Sequence, residues 1–184
     1  MTTKVQYFVA ASLDGYIADA HNKIDWLTAF DGTPGLGEHY QKFLADVGAL
    51  VMGARTQMNM ADVLRVQQHG GPWPYAQLPC YVFSHHTLPT IEGADLRFVR
   101  GELAEHAQEI LAAAGGKHLW LVGGGALAAQ CVRLGLLHEL WLSVIPLVLG
   151  GGAPLFGDAA IPALSLQRVT QFARGIVELR YTLT

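Results

Sequence analysis

LWLVGGGALAAQCVRLGLLHELWLSVIPLVLGGGAPLF, residues Leu119 to Phe156, carries two glycine triplets, Gly123–Gly125 and Gly150–Gly152. Each follows an apolar run. A missing Cβ serves either a tight turn or a ligand that must lie against backbone. His118–Val122 reads as a buried strand, and Ala126–Leu134 as a helix closed by Gly135. The first triplet therefore sits where a strand becomes a helix. Glu139–Ile145 is the next strand, and the loop GGGAPLFGDAAIP follows it. Strand, helix and strand in so short a span form the repeating unit of a parallel sheet with covering helices.

The same alternation extends outward in both directions. Upstream, Val5–Ala11 and Tyr16–Ala18 read as strands on either side of the turn SLDG. Glu38–Asp46 reads as a helix, with Tyr40, Phe43, Leu44 and Val47 at helical spacing. Ala49–Met52 is a strand, and Thr56 is placed to cap a helix around Asn59–Arg65. Cys80–Ser84 and Leu96–Val99 are strands, and Glu102–Ala114 is a helix stopped at Gly115-Gly116. Downstream, Leu164–Phe172 and Ile176–Tyr181 alternate with period two and form an antiparallel hairpin. The expected fold is one domain over residues 1–184. It is an α/β three-layer sandwich with a mostly parallel central sheet, helices on both faces and a C-terminal antiparallel hairpin.

The totals agree with one domain. A chain of 184 residues can bury a core without metal or disulfide staples. Net charge is −3, which lacks the basic field of a nucleic-acid binder. Cys80 and Cys131 lie far apart and are expected to be reduced core residues of a cytoplasmic protein. The longest apolar run is interrupted by His, Glu and Pro, so no membrane span is expected. Apolar residues make up 51% and charged residues only 15%, which favours a surface covered by a second subunit.

Three strand ends carry chemistry that suits phosphate. Gly123-Gly124-Gly125 opens a helix whose N–H groups and dipole attract an anion. VMGART, Val51 to Thr56, places Arg55 and the Thr56 hydroxyl at a second strand end. FSHHTLP, Phe83 to Pro89, gathers Ser84, His85 and Thr87 at a third. The first lacks the spacing of a G-x-G-x-x-G fingerprint or a P-loop. Together they suggest one dinucleotide stretched across the sheet edge. The adjacent histidines have no carboxylate or cysteine at ligand spacing, so no metal is expected.

Taken in order, these motifs resemble the dihydrofolate reductase-like superfamily, and within it the stand-alone relatives of the RibD C-terminal reductase domain of bacterial riboflavin biosynthesis. The matching stretches are AASLDGYIA (Ala10–Ala18), IDW (Ile24–Trp26), VMGART, VFSHH (Val82–His86), LVGGG (Leu121–Gly125), Leu136–Phe156 and the closing hairpin. The resemblance implies NADPH as cofactor and a homodimer. It places Ala10 and Ile17 by the nicotinamide, and Gly53, Arg55 and Thr56 by the adenosine-side phosphates. Ser84, His85 and His86 would meet the 2′-phosphate and adenine, and Val122, Gly123, Gly124, Gly125 and Ala126 the pyrophosphate. His85 stands where family members often carry arginine.

A reductase needs a proton beside its hydride, and carboxyl groups are natural suppliers. Asp14, Asp25 and Glu139 are the candidates. Each also has a structural reading: a turn former, a cap and a charge at a strand start. Trp26, Trp73, Tyr75 and Phe156 could stack on a flat heterocycle. The implied activity is reduction of a small heterocyclic or carbonyl substrate of the 5-amino-6-(5-phosphoribosylamino)uracil type. A folate or pterin reductase and a nucleotide-binding protein without turnover are the alternatives. Lys23, Arg65 and His69 are possible grips for a substrate phosphate.

Overall fold

The computed structural model of the protein describes residues 3–63, 73–161 and 163–183. Ten strands form within these residues: β1 (Val5–Ser12), β2 (Tyr16–Ala18), β3 (Val47–Gly53), β4 (Cys80–Phe83), β5 (Leu96–Val99), β6 (His118–Gly123), β7 (Leu137–Ile145), β8 (Ala153–Pro154), β9 (Leu164–Gln171) and β10 (Val177–Leu183). The helices are α1 (Leu36–Ala45), α2 (Ala54–Val63), α3 (Leu103–Ala113) and α4 (Gly125–Arg133). Two 3-10 turns, Asp25–Phe30 and Ala173–Gly175, complete the set.

Eight strands make one sheet in the order β5-β4-β3-β6-β1-β7-β10-β9. From β5 to β7 all neighbours are parallel, while β10 runs antiparallel to both β7 and β9. Alternation along β1 explains the two cores. Val5 and Tyr7 point to the face covered by Leu103 and Ile110 of α3 and Leu127, Ala128 and Cys131 of α4. Phe8 points to the other face, with Phe43 and Tyr40 of α1 and Met60 of α2. Burial of apolar side chains on both faces holds the layers together. This is the expected α/β three-layer sandwich with its C-terminal hairpin.

Three boundaries differ from the sequence reading. Val47 belongs to β3 and not to the stripe of α1, because the chain is already extended where it passes the end of α3. There a Cβ on Gly48 would lie 1.9 Å from the Ala114 carbonyl oxygen. Helix α2 starts directly after β3, so Thr56 lies inside its first turn and is not its cap. Ala153–Pro154 pairs with Tyr16–Ala18 as a small ribbon, within what reads as a long loop. Arg65 and His69 lie outside the described residues. Among the described residues no helix is long and apolar enough to cross a membrane. Burial pushes the thiols of Cys80 and Cys131 up to about 12, which removes the thiolate form at neutral pH.

Candidate active site

The carboxyl ends of β4, β3, β6 and β1 are neighbours, so the loops they feed lie along one edge. The first glycine triplet is shaped by what approaches it. A Cβ on Gly123 would stand 3.0 Å from the Thr56 hydroxyl, so the starts of α2 and α4 converge. Gly124 has φ of 107°, which L side chains rarely adopt, and a Cβ there would meet the Gly53 amide nitrogen at 3.7 Å. Gly125 faces the chain itself: its Cβ would lie 2.2 Å from the Pro154 carbonyl oxygen. Among the described residues no side chain caps α4. Its opening N–H groups, at Gly125 and Ala126, therefore lack a side-chain acceptor, which leaves a cradle suited to an anion.

Arg55 is exposed in the first turn of α2 and donates to the Asn22 side chain at 3.2 Å. Asn59 holds the same loop by donating to the Asn22 carbonyl at 2.8 Å. At the end of β4, the Ser84 hydroxyl donates to the His86 carbonyl at 2.7 Å and accepts from the His86 amide at 3.0 Å. Ser84 thus shapes its loop, and His85 and His86 are exposed. Beside them opens a cleft of about 580 Å³ whose lining includes Arg97, Arg100 and His106. Arg97 is already paired with Asp95 at 2.8 Å. Arg100 is a cationic candidate that no motif in the sequence marks, and the His106 Nε2 lies 2.9 Å from its carbonyl oxygen.

On the α1 face, the middle of the sheet is not fully covered. Ala10 and Val122 are partly exposed although both belong to interior strands. Ala10 pairs in register with Ser143 of β7, and Ser143 with Glu178 of β10. Glu178 is 2% exposed, and the His39 Nε2 of α1 lies 2.9 and 2.8 Å from its two carboxylate oxygens. Burial pushes the Glu178 carboxyl up, against the pull of the His39, Arg180 and Arg168 charges. His39 stands among the rings of Phe8, Trp141 and Phe172. His39 lies outside the recognised stretches, and Glu178 lies in the closing hairpin, where no motif marks it. Signals existed: His39 lies four residues before Phe43, on the buried stripe of its helix, and Glu178 takes the inward phase of its strand.

The structure corrects four of the site residues expected from sequence. Glu139 pairs with Gln6 near the start of β1, four residues back along β7 from Ser143. That is about 13 Å away along the strand. It accepts from Lys4 at 2.7 Å, Gln6 at 2.9 Å, Trp141 at 2.9 Å and Arg180 at 3.0 Å. Burial opposes its ionisation, but hydrogen bonds from Lys4, Trp141 and Gln6 and the Arg180 charge outweigh this and hold its pKa at about 2. Such a carboxylate is an ion-pair centre and no proton donor at neutral pH. Trp73 is 2% exposed and packs edge-on against Tyr75, so it cannot stack on a ligand. Phe156 packs edge-on against Tyr7 on the α3–α4 face, with centroids 5.8 Å apart, on the far side of the sheet from Ala10.

Asp14 is the fourth. Its carboxylate accepts from the amides of Leu149 at 3.1 Å and Gly150 at 2.8 Å. Hydrogen bonding to Ser12 first, then to these amides, lowers its pKa. Asp14 therefore clips the β1–β2 turn to the second glycine triplet. Asp14→Ala is expected to speed hydrogen exchange at the Leu149 and Gly150 amides by about an order of magnitude, read by mass spectrometry or NMR. Unchanged exchange would remove the clip. Asp25 is exposed in the first 3-10 turn, which Ile24 precedes as the uncapped boundary residue. Trp26 is half-buried, and its indole nitrogen is buried without a hydrogen-bond partner among the described residues. The same is true of both polar atoms of the Gln57 side chain, next to Thr56. Orphaned groups of this kind mark places where a partner can be taken up. Ile17 is half-buried on β2.

Comparison with known proteins identifies the family and the fold. The sequence profile of the RibD C-terminal domain matches residues 3–178. The chain is 31% identical to the YwjB protein of Bacillus subtilis (strain 168) over 190 residues, covering 98% of each chain. A crystal structure from Shewanella sp. PV-4, provisionally described as a riboflavin biosynthesis protein, superposes with a TM-score of 0.79 at 27% identity over 99% of both chains. A bifunctional diaminohydroxyphosphoribosylaminopyrimidine deaminase and 5-amino-6-(5-phosphoribosylamino)uracil reductase from Thermotoga maritima gives 0.69 at 15% identity, over all of this chain and 57% of that one. The last likeness shows a shared fold. With a profile match over almost its whole length, the chain belongs to the RibD C-terminal domain family, within the dihydrofolate reductase-like superfamily.

Proposed function

We propose that this protein is an NADPH-dependent reductase of a small heterocyclic or carbonyl substrate, most akin to the 5-amino-6-(5-phosphoribosylamino)uracil reductases. One observation carries the reading. Gly53, Thr56, Gly123 and Gly124 converge at adjacent strand ends, next to the open floor at Ala10 and Val122. An extended dinucleotide needs that combination: bare amides for its phosphates and a flat floor for its ring. When bound, NADPH supplies the hydride. The residues of the chain then have three tasks. The α4 N-terminus and Thr56 hold the pyrophosphate, with Arg55 as a charged clamp. Ser84 shapes the loop that presents His85 and His86 toward the adenosine end, where Arg100 adds charge. Trp26 and the α1 wall position the substrate over Ala10 and limit water.

The test is a fluorescence titration with NADPH and with NADH, followed by turnover with 5-amino-6-(5-phosphoribosylamino)uracil and with dihydrofolate. The expected outcome is tighter binding of NADPH and cofactor oxidation with the uracil. Oxidation with dihydrofolate alone would move the substrate class to folates. Failure to bind either cofactor would end the reductase reading. Gly124→Asp is expected to weaken NADPH binding by at least ~100-fold, because a carboxylate would occupy the anion cradle at a φ only glycine tolerates. Unchanged affinity in a variant with wild-type circular dichroism would refute the cradle.

A further inference from the structure

A buried glutamate held on two oxygens by one imidazole nitrogen leaves the other nitrogen as the working end of the pair. In this protein the arrangement is Glu178 with His39 Nε2, and His39 Nδ1 has no hydrogen-bond partner among the described residues. The imidazole side chain is 22% exposed, whereas the carboxylate behind it is 2% exposed. One end of the dyad is therefore dry and the other reaches solvent or a ligand. We infer that His39 and Glu178 are the proton-delivering pair of the cleft, with His39 Nδ1 as the atom that meets the reducible nitrogen or oxygen of the substrate. This rests on the reductase reading above and names the group that completes it.

Placement supports the assignment. Glu178 is in register with Ser143, and Ser143 with Ala10, so the pair lies two strands from the floor of the cleft. Two strand spacings are about 10 Å, a gap that a bicyclic or substituted heterocycle fills. The pair faces the α1 side, where Ala10 and Val122 are open. The rings of Phe8, Trp141 and Phe172 wall in His39 and fix where its imidazole stands. The other charges acting on Glu178 are Arg180 on its own strand and Arg168 on β9. Arg180 is shared with Glu139 of β7, at 3.0 Å, and stacks on Trp141. From β1 the same face presents Gln6, Phe8 and Ala10, none of them titratable.

The balance is simple. A C=N or C=O bond of the substrate loses its π pair. Carbon gains the hydride that NADPH supplies, and nitrogen or oxygen gains the Nδ1 proton. His39 is left neutral, with its Nε2–H still donated to Glu178, and water reprotonates Nδ1 through the exposed part of the ring. Glu178 positions the imidazole, sets its tautomer and stabilises the imidazolium.

The experiment follows His39 by long-range proton–nitrogen NMR in the full-length chain labelled at histidine. The wild type, Glu178→Gln and His39→Asn are compared across the range from weakly acidic to weakly basic pH. The neutral ring is expected as the Nε2–H tautomer. Glu178→Gln should lower its proton affinity by about tenfold or more. In the wild type, NADP⁺ should lower it relative to NADPH, since only the oxidised ring carries positive charge near the dyad. Both variants should bind NADPH within about twofold of wild type. Where a substrate turns over, His39→Asn should cut kcat by roughly 100-fold or more. A His39 titration indifferent to Glu178→Gln overturns the inference. So does one indifferent to cofactor charge while both cofactors bind, a measurement that needs no variant. If wild type binds neither cofactor, the reductase reading falls and this inference falls with it.

Discussion

Gly125→Ala is expected to lower the unfolding midpoint by about 10 °C, while Gly151→Ala leaves it within a degree or so. By helix propensity alone the sign should be reversed. Gly125 is the first residue of α4, and alanine is preferred over glycine in a helix by roughly 1 kcal/mol. Packing decides otherwise. The new methyl would lie 2.2 Å from the Pro154 carbonyl oxygen and 2.7 Å from the Gly157 amide nitrogen, both backbone atoms that cannot swing away. Overpacking of this severity costs about 3 kcal/mol. For a chain of this length each kcal/mol moves the midpoint by about 2–4 °C. A Cβ on Gly151 meets none of the described residues within 4 Å. Because relief requires the first turn of α4 to move away from the loop, Gly125→Ala should also weaken NADPH binding. A scanning calorimetry trace in which both variants melt together would show that the loop yields without cost.

Glu139→Gln should cost about 3 kcal/mol at neutral pH, measured by chemical denaturation. The side chain keeps its shape but loses its charge, leaving Lys4, Arg180, Gln6 and Trp141 facing a neutral amide. Removing one partner from a buried ionic cluster costs about 3–5 kcal/mol. The lower end applies because Lys4 and Arg180 are 48% and 32% exposed and regain water. The pH dependence has a definite sign. The folded pKa is about 2, below the ordinary glutamate value of 4.5. The carboxylate therefore contributes its full stability above the unfolded value and loses it as pH falls toward 2. Wild type and variant should be far apart at pH 7 and converge across that acid window. Parallel curves down to low pH would mean that this carboxylate is not what the cluster depends on.

The layered fold was legible because its signals are local. Helices α3 and α4 are closed by glycine, and the final hairpin pairs antiparallel as its alternation suggests, with one register shift between Arg180 and Tyr181. The rim was legible for the same reason: bare backbone at strand ends leaves its mark in the sequence as glycine. The polar groups of the cleft were not, since their roles depend on contacts between distant segments. Asp14 and Glu139 stand in recognised stretches, yet one is held ionised by amides 135 and 136 residues away and the other by Gln6 and Arg180. His39 and Glu178 are separated by 139 residues, and only the sheet order brings them together. Trp73 and Phe156 carry the right chemistry for stacking, but burial on the wrong side of a strand or in the core cannot be seen in a loop-like stretch.

The β1–β2 turn and the loop after β7 are stitched along their length. Leu13 donates to Leu147, Asp14 accepts from Leu149 and Gly150, Leu155 donates to Gly15, and Tyr16–Ala18 pairs with Ala153–Pro154. A Cβ on Gly152 would meet the Ala18 carbonyl oxygen at 2.0 Å. Chimeras that import one of these segments from a homologue while retaining the other would bring together edges that were never cut to match. Domain shuffling within this family has to carry the two as a single cassette.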